Sequence, residues 1–211
     1  MTSSDLAAYS RSLIPKLSEQ LRPALLGVFW LTLLTGCVFP LVLFALGHLV
    51  FPGQAAGSLL TRGGIVVGSE FIGQNFTRPE YFHPRPSAAG AGYGGTASGG
   101  TNFGPSNPKL IEDARQLAED YRRSNGLPAE ALVPIDAVTR SGSGLDPHIS
   151  PLNAALQIPR VARARSLSED AVRGLVAAAT QGRQLGFLGD PRVSVLDLNL
   201  ALDRVAPLAP R

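Results

Sequence analysis

The chain has 211 residues, 45% hydrophobic and 17% charged, with a net charge of +3. Its arginines are scattered except for a denser patch at Arg160, Arg163 and Arg165, so it lacks the basic face that a nucleic-acid partner requires. The one cysteine, Cys37, excludes an internal disulfide, and any folded domain must be held by packing.

Between Pro23 and Thr61 there is no Asp, Glu, Lys or Arg. The stretch ALLGVFWLTLLTGCVFPLVLFALGHLVF, Ala24 to Phe51, is longer than the ~20 residues that cross a bilayer core. It is too long for the apolar region of a cleaved signal peptide, and it is apolar on every face, unlike a soluble core helix. The sequence therefore predicts a membrane helix over 23–51, preceded by a cytoplasmic segment, 1–22. Arg11, Lys16 and Arg22 come before the span, and only Arg62 follows closely, so the positive-inside rule puts the N-terminus in the cytoplasm and the rest of the chain outside. Thr32 and Gly36, four apart, form a small-residue pair that lets a membrane helix of a partner approach. Pro40 predicts a kink or a local loosening. His48 reads as an interfacial histidine, because the span holds no second ionisable group for a relay.

Residues 52–64 read as a short glycine-containing connector and 65–211 as an outer domain. GIVVGSEFIGQNF, Gly64 to Phe76, opens on a β-branched run, which predicts a strand from Ile65 to Val67. The prolines of TRPEYFHPRPSA forbid a regular element, and GAGYGGTASGGTNFG, 90–104, is a glycine-rich loop. Asn107 and Pro108 supply an N-cap and a first-turn proline. Leu110, Ile111, Ala114, Leu117, Ala118 and Tyr121 then recur at helical spacing, and Gly126 closes the helix. LPAEALVPIDAVTRSGSG, 127–144, reads as a helical turn, an extended piece and a loop. A second helix starts at Ser150-Pro151 and is expected to break or kink at Pro159. A third starts near Ser166, which has capping-box spacing to Glu169. In PRVSVLDLNLALD the alternation of Leu196, Leu198, Leu200 and Leu202 favours a strand, with a short helix from Leu196 left open. The expected fold class is mixed α/β: one N-terminal transmembrane helix followed by one small extracytoplasmic α+β domain.

The motifs that suggest chemistry are weak. Gly90, Gly92, Gly94 and Gly95 invite a nucleotide reading, but a phosphate loop needs a strand before it and a helix directly after it. Here prolines come before and the helix starts well downstream. His83 and His148, the histidines outside the span, have no second ligand three or four residues away, so no metal is expected. Asp146, His148 and Ser150 lie two apart and so form a row rather than a triad around one centre, and there is no G-x-S-x-G elbow. They read better as a turn at Asp146-Pro147 and a helix cap at Ser150. What remains is the profile of an anchored accessory or docking subunit without a catalytic site. An anchored enzyme, or a membrane-anchored extracytoplasmic ligand-binding or sensor module, is the alternative.

At the level of longer motifs, GSEFIGQNF, PEYFHPRPSA, SGGTNFGPSNP, VTRSGSGLDPHISPLNAALQIPRVA and VSVLDLNLALD resemble the C subunit of the Kdp-type potassium-transporting P-type ATPase of prokaryotes. The resemblance runs from the span nearly to the C-terminus. It implies a single-pass subunit of the cell (inner) membrane and a complex with three partners: a potassium-translocating channel-like subunit, a P-type ATPase subunit and a small membrane peptide. It also implies that ATP, Mg and K are used by the complex, with no cofactor bound by this chain, and that the subunit serves assembly or acts as a catalytic chaperone raising ATP affinity. Because the charge pattern puts the domain opposite the cytoplasmic ATP site, docking on the potassium-translocating subunit is the favoured expectation. The interface candidates are Gln74, Tyr81, Phe82, Arg85, Ser87, Asn107, Ser143, Asp146, His148 and Gln157, with Thr32 and Gly36 in the membrane.

Overall fold

The computed structural model describes residues 17–208, with side chains from Glu19 onward. Arg11 and Lys16, two of the charges behind the orientation reading, lie outside the described residues, as does most of segment 1–22. The chain divides into two units, Met1–Gly57 and Ser58–Arg211.

The first unit is helical: α1 (Leu17–Leu33), a π-turn (Leu34–Val38), α2 (Phe39–Val50) and the single turn α3 (Pro52–Ala55). From Glu19 to Val50 this is one helix of mean hydropathy 2.2, long and apolar enough to cross a membrane. The loosening expected at Pro40 takes the form of the π-turn. Proline has no N–H and its ring presses on the carbonyl four residues back. The chain adapts by winding more widely, and the Phe39 N–H reaches back five residues to the Leu34 carbonyl. Thr35 donates its hydroxyl to Leu31 O at 2.7 Å. A Cβ added at Gly36 would meet only Thr32 Cγ2, at 4.0 Å, so the Thr32–Gly36 pair leaves a shallow surface there.

The second unit opens with a hairpin, β1 (Leu59–Arg62) and β2 (Ile65–Ser69), in which Leu60 pairs with Gly68 and Arg62 with Ile65. The segment read as a connector thus contains a helical turn and a strand. Gly63 and Gly64 both take positive φ, 58° and 80°, as the tight turn between twisted strands requires. Gly68 is needed for another reason: a Cβ there would meet Leu196 Cδ2 at 2.8 Å.

After a long irregular segment come α4 (Pro108–Asn125), α5 (Ile135–Val138), β3 (His148–Ile149), α6 (Pro151–Arg165), α7 (Glu169–Ala179), β4 (Thr180–Gln181), β5 (Arg192–Ser194) and α8 (Val195–Val205). The strands form an antiparallel sheet of order β3-β5-β4. Helices α6, α7 and α8 supply most of the core, with Ile158, Val161, Val172, Leu198 and Leu202 closing on Phe82 and Val193. Each such side chain, fully buried, contributes roughly 1.5–3 kcal/mol.

The two proline-led caps form as expected. Asn107 accepts from Lys109 N at 3.0 Å and Ser150 from Asn153 N at 3.1 Å. Gly126 ends α4 in the left-handed region.

Four expectations need correction. First, α6 runs through Pro159 without a break. The carbonyl that loses its donor is that of Ala155, an exposed residue, so the unpaired group is not shut away from solvent. Second, the cap of α7 is Ser168, whose hydroxyl accepts from Ala171 N at 3.2 Å, while Ser166 is the left-handed end of α6. Third, 195–205 is helical rather than a strand. The strand ends at Ser194, whose hydroxyl caps α8 through Asp197 N at 3.3 Å, and Val195, Leu198 and Leu202 bury at helical spacing. Fourth, the segment 127–144, read as a helical turn, an extended piece and a loop, carries a further one-turn helix, α5, between its extended piece and its loop.

Candidate functional site

The segment Pro79 to Pro86 belongs to no helix or strand, yet it passes through the interior, with Phe82 fully buried. A buried irregular backbone must find partners for its N–H and C=O groups. Side chains from α6 and α8 supply them. Asn199 Oδ1 accepts from Phe82 N at 2.8 Å and its Nδ2 donates to Phe82 O at 3.0 Å. Gln157 does the same for His83, accepting from N at 2.7 Å and donating to O at 3.1 Å. Arg160 donates to Pro79 O at 2.6 Å and Tyr81 O at 2.9 Å, and Arg165 to Glu80 O at 2.7 Å. Each amide thus imitates a neighbouring strand, and the arginines fill the remaining carbonyls.

Arg160 also donates to Asn125 Oδ1 at 2.9 Å and Gln157 Oε1 at 2.6 Å. These four acceptors are all neutral oxygens rather than carboxylates, and burial pushes its guanidinium down to about 10. Arg165, in contrast, is paired with Asp203 at 2.8 Å and lies over the Tyr81 ring at 4.7 Å.

A second node joins this strap to the Ser141–His148 loop. Arg85 Nη1 donates to Asp146 Oδ2 at 2.7 Å, and the His148 N–H donates to Asp146 Oδ1 at 3.0 Å. Burial alone would raise the Asp146 carboxyl, but the bonds from His148 and Arg85 outweigh it and hold the group at about 2. Ser87 donates to Gly144 O at 2.6 Å and accepts from the N–H groups of Ala89 and Tyr93, at 3.1 and 2.9 Å. The Ser143 carbonyl accepts from Gly99 N at 2.9 Å and Ser98 Oγ at 3.0 Å. The loop is therefore tied into the glycine-rich segment.

The structure brings Arg85, Ser87, Ser143, Asp146 and His148 into this one node. It places Gln74 and Tyr81 elsewhere: Gln74 donates to Val67 O at 2.8 Å and Tyr81 to Asp203 Oδ2 at 3.2 Å. Asn107 stands apart as the cap of α4. Phe82 and Gln157, at 0% and 1% exposure, present no surface in this fold, so their role is internal. Asn199, Asn153 and Asp136 complete the networks and are not singled out in the sequence analysis, where Arg165 stands only as part of a basic patch. The available signal was polar residues at i, i+4 and i+7 of one helix, Asn153, Gln157 and Arg160, on its buried side.

His83, Arg85, Ser87 and Tyr93 line an open cleft of about 470 Å³ together with Tyr121 and Ser124. Arg85 Nε is the buried side-chain polar atom without a partner among the described residues. Burial, with the Arg160 charge nearby, lowers the pKa of His83. Ser150 is not oriented by His148, since its hydroxyl donates to Asp136 Oδ1 at 2.9 Å. Among the described residues no three His, Cys, Asp or Glu side chains gather as a metal cluster.

The class is thus a small mixed α/β domain that follows one apolar helix long enough to cross a membrane, and its polar side chains mostly support its own backbone. A family model described as "KdpC: K+-transporting ATPase, c chain" matches residues 21–204. Curated relatives named "Potassium-transporting ATPase KdpC subunit" include one from Mycobacterium bovis, 54% identical over 89% of this chain and 99% of its own length. Another, from Gemmatimonas aurantiaca, is 51% identical over 91% and 96%. A third, from Beijerinckia indica, is 50% identical over 90% and 96%. The chain belongs to the KdpC family.

Proposed function

We propose that the chain is the accessory subunit of an ATP-driven potassium-uptake complex. Segment 23–51 anchors it in the cell membrane, its N-terminus is cytoplasmic, and domain 65–211 lies outside. There the domain docks on the potassium-translocating subunit, and ATP is hydrolysed on the P-type ATPase subunit. The match to the KdpC family over residues 21–204 carries this reading. The Arg85–Asp146–His148 node supports it too, because it stiffens a polar loop, and a stiff loop loses little freedom on docking. A role raising the ATP affinity of the ATPase subunit is the weaker form, because ATP and domain then lie on opposite sides of the bilayer.

The test is affinity purification of the tagged full-length chain from its host under potassium starvation, in mild detergent. A channel-like protein and a P-type ATPase in the eluate, with potassium-stimulated ATP hydrolysis, support the reading, and a chain that elutes alone overturns it. A reporter fused after Arg211 that works only in the cytoplasm reverses the orientation. The alternative, a ligand-binding or sensor module, draws on the cleft of about 470 Å³ and the unpartnered Arg85 Nε. It requires a small molecule to bind the chain without any other subunit.

A further inference from the structure

Asn125 is the only asparagine of the chain that is followed by a glycine. Such a pair is chemically labile, because glycine has no side chain to shield its nitrogen and its backbone turns freely toward the preceding amide. The Gly126 nitrogen gives up its proton to water and attacks Asn125 Cγ. The Cγ–Nδ2 bond breaks, ammonia leaves with a proton returned by the solvent, and a succinimide ring closes. Water then opens either C–N bond of that ring, giving aspartate or isoaspartate at position 125. Water is the only co-reactant.

In the folded domain both reacting groups are held back. Asn125 is 7% exposed and is the buried residue of α4. Its Oδ1 accepts from Arg160 Nε at 2.9 Å, and its Nδ2 donates to Tyr121 O at 2.9 Å and Ser124 Oγ at 3.3 Å. The attacking nitrogen is engaged too: Gly126, at φ 66°, donates to the carbonyls of Arg122 and Arg123.

The lock on this amide is also a lock on the strap. The guanidinium that holds Asn125 donates to Pro79 O and Tyr81 O. Helix α4 itself is lightly packed. Leu110, Ala114, Leu117 and Tyr121 are only half-buried, and clefts of about 470 and 270 Å³ touch them. Tyr121 Oη ties the last turns to α6, donating to Asn153 Oδ1 at 2.9 Å. Elements packed this way open locally while the rest of the domain stays folded.

We propose that Asn125–Gly126 is a deamidation site gated by Arg160, silent while the strap is clamped and reactive when α4 and the strap let go. The isoaspartyl product marks that event permanently. Its backbone runs through one extra methylene, so the last turn of α4 and the bond to Arg160 are not remade. The proposal involves no partner and stands apart from the accessory-subunit reading.

The test is peptide mass spectrometry of the full-length chain in detergent, incubated at neutral pH and digested with trypsin in weak acid, where the reaction stalls. The peptide Ser124–Arg140 reports the change of amide to acid. When opening is fast, the rate follows the population of the open form. Losing one hydrogen bond from a charged donor changes that population by about tenfold. Folded wild type should react about tenfold slower, or slower still, than the same chain in urea. Arg160→Lys keeps the charge, loses the Nε bond, and should react about tenfold faster than folded wild type. Tyr121→Phe leaves Arg160 in place, removes the tie to Asn153, and should accelerate the reaction by a smaller factor. Melting curves verify that each variant is folded at the incubation temperature, and if Arg160→Lys is not, Tyr121→Phe decides alone. Folded wild type reacting at the urea rate, or folded variants reacting at the wild-type rate, overturns the proposal.

Discussion

Gln157 holds both backbone polar groups of His83, accepting from its N–H at 2.7 Å and donating to its carbonyl at 3.1 Å. The same amide receives Arg160 Nη2 at 2.6 Å and donates to Asn153 Oδ1 at 2.8 Å. Gln157→Leu keeps most of the volume but leaves several buried groups without partners. It should destabilise the fold by about 2–4 kcal/mol. Gln157→Glu, which keeps the acceptor toward Arg160, should cost less. Denaturant titration of the full chain in detergent measures both, and equal losses would refute the pairing argument.

Acid sensitivity should arrive in two stages. The His83 pKa is lowered, so as pH falls below its ordinary value of ~6.5 the unfolded chain takes up a proton that the native residue resists, and stability declines. Asp146 is held at about 2, against 3.8 for a free carboxyl, so its contribution is complete above pH ~4 and disappears as pH falls toward 2. Its side chain is 27% exposed, which limits the effect to about 1–2 kcal/mol. Melting temperature against pH should flatten in the first window for His83→Gln and in the second for Asp146→Asn.

Two serines two residues apart should respond in opposite directions. Ser168→Ala removes the cap of α7 and should cost about 1 kcal/mol. Ser166 sits at φ 54°, so Ser166→Gly should be neutral or stabilising, by up to ~1 kcal/mol. Comparing the two melting temperatures decides which serine starts the helix.

Gly144→Ala should damage the Ser141–His148 loop. At φ 67° a Cβ would meet Ala89 N and Gly99 O, each at 2.7 Å. The Ser141–His148 loop then has to move from the segment it is tied to, with a loss of about 1–3 kcal/mol. Reduced recovery of the complex should go with it, measured by pull-down.

Features with local causes were legible in the sequence. The Asn107-Pro108 and Ser150-Pro151 starts are caps within one turn of chain, and Pro40 alone foretold a disturbance in the span. Helix 195–205 was misread because its leucines fall on alternate positions, as a strand's would. The period that matters is that of Val195, Leu198 and Leu202, which bury against α6 and α7. Ser166 and Ser168 are chemically equal, and only the left-handed turn at the end of α6 separates their roles. The clamp on the strap could not be read at all. Asn199 and Phe82 are 117 residues apart, and no local pattern announces such a pairing.

That separation also fixes an order of events. The strap is made early in synthesis, but its backbone has no partner strand to settle on. Its bonds to Gln157, Arg160 and Arg165 wait for a helix more than 70 residues downstream, and those to Asn199 wait for α8, with Asn199 117 residues after Phe82. Contacts this distant close late, after local helices have formed. A nascent chain halted before Asn199 should therefore expose Tyr81 and Phe82 to proteases, and the emergence of α8 should be the moment when that protection appears.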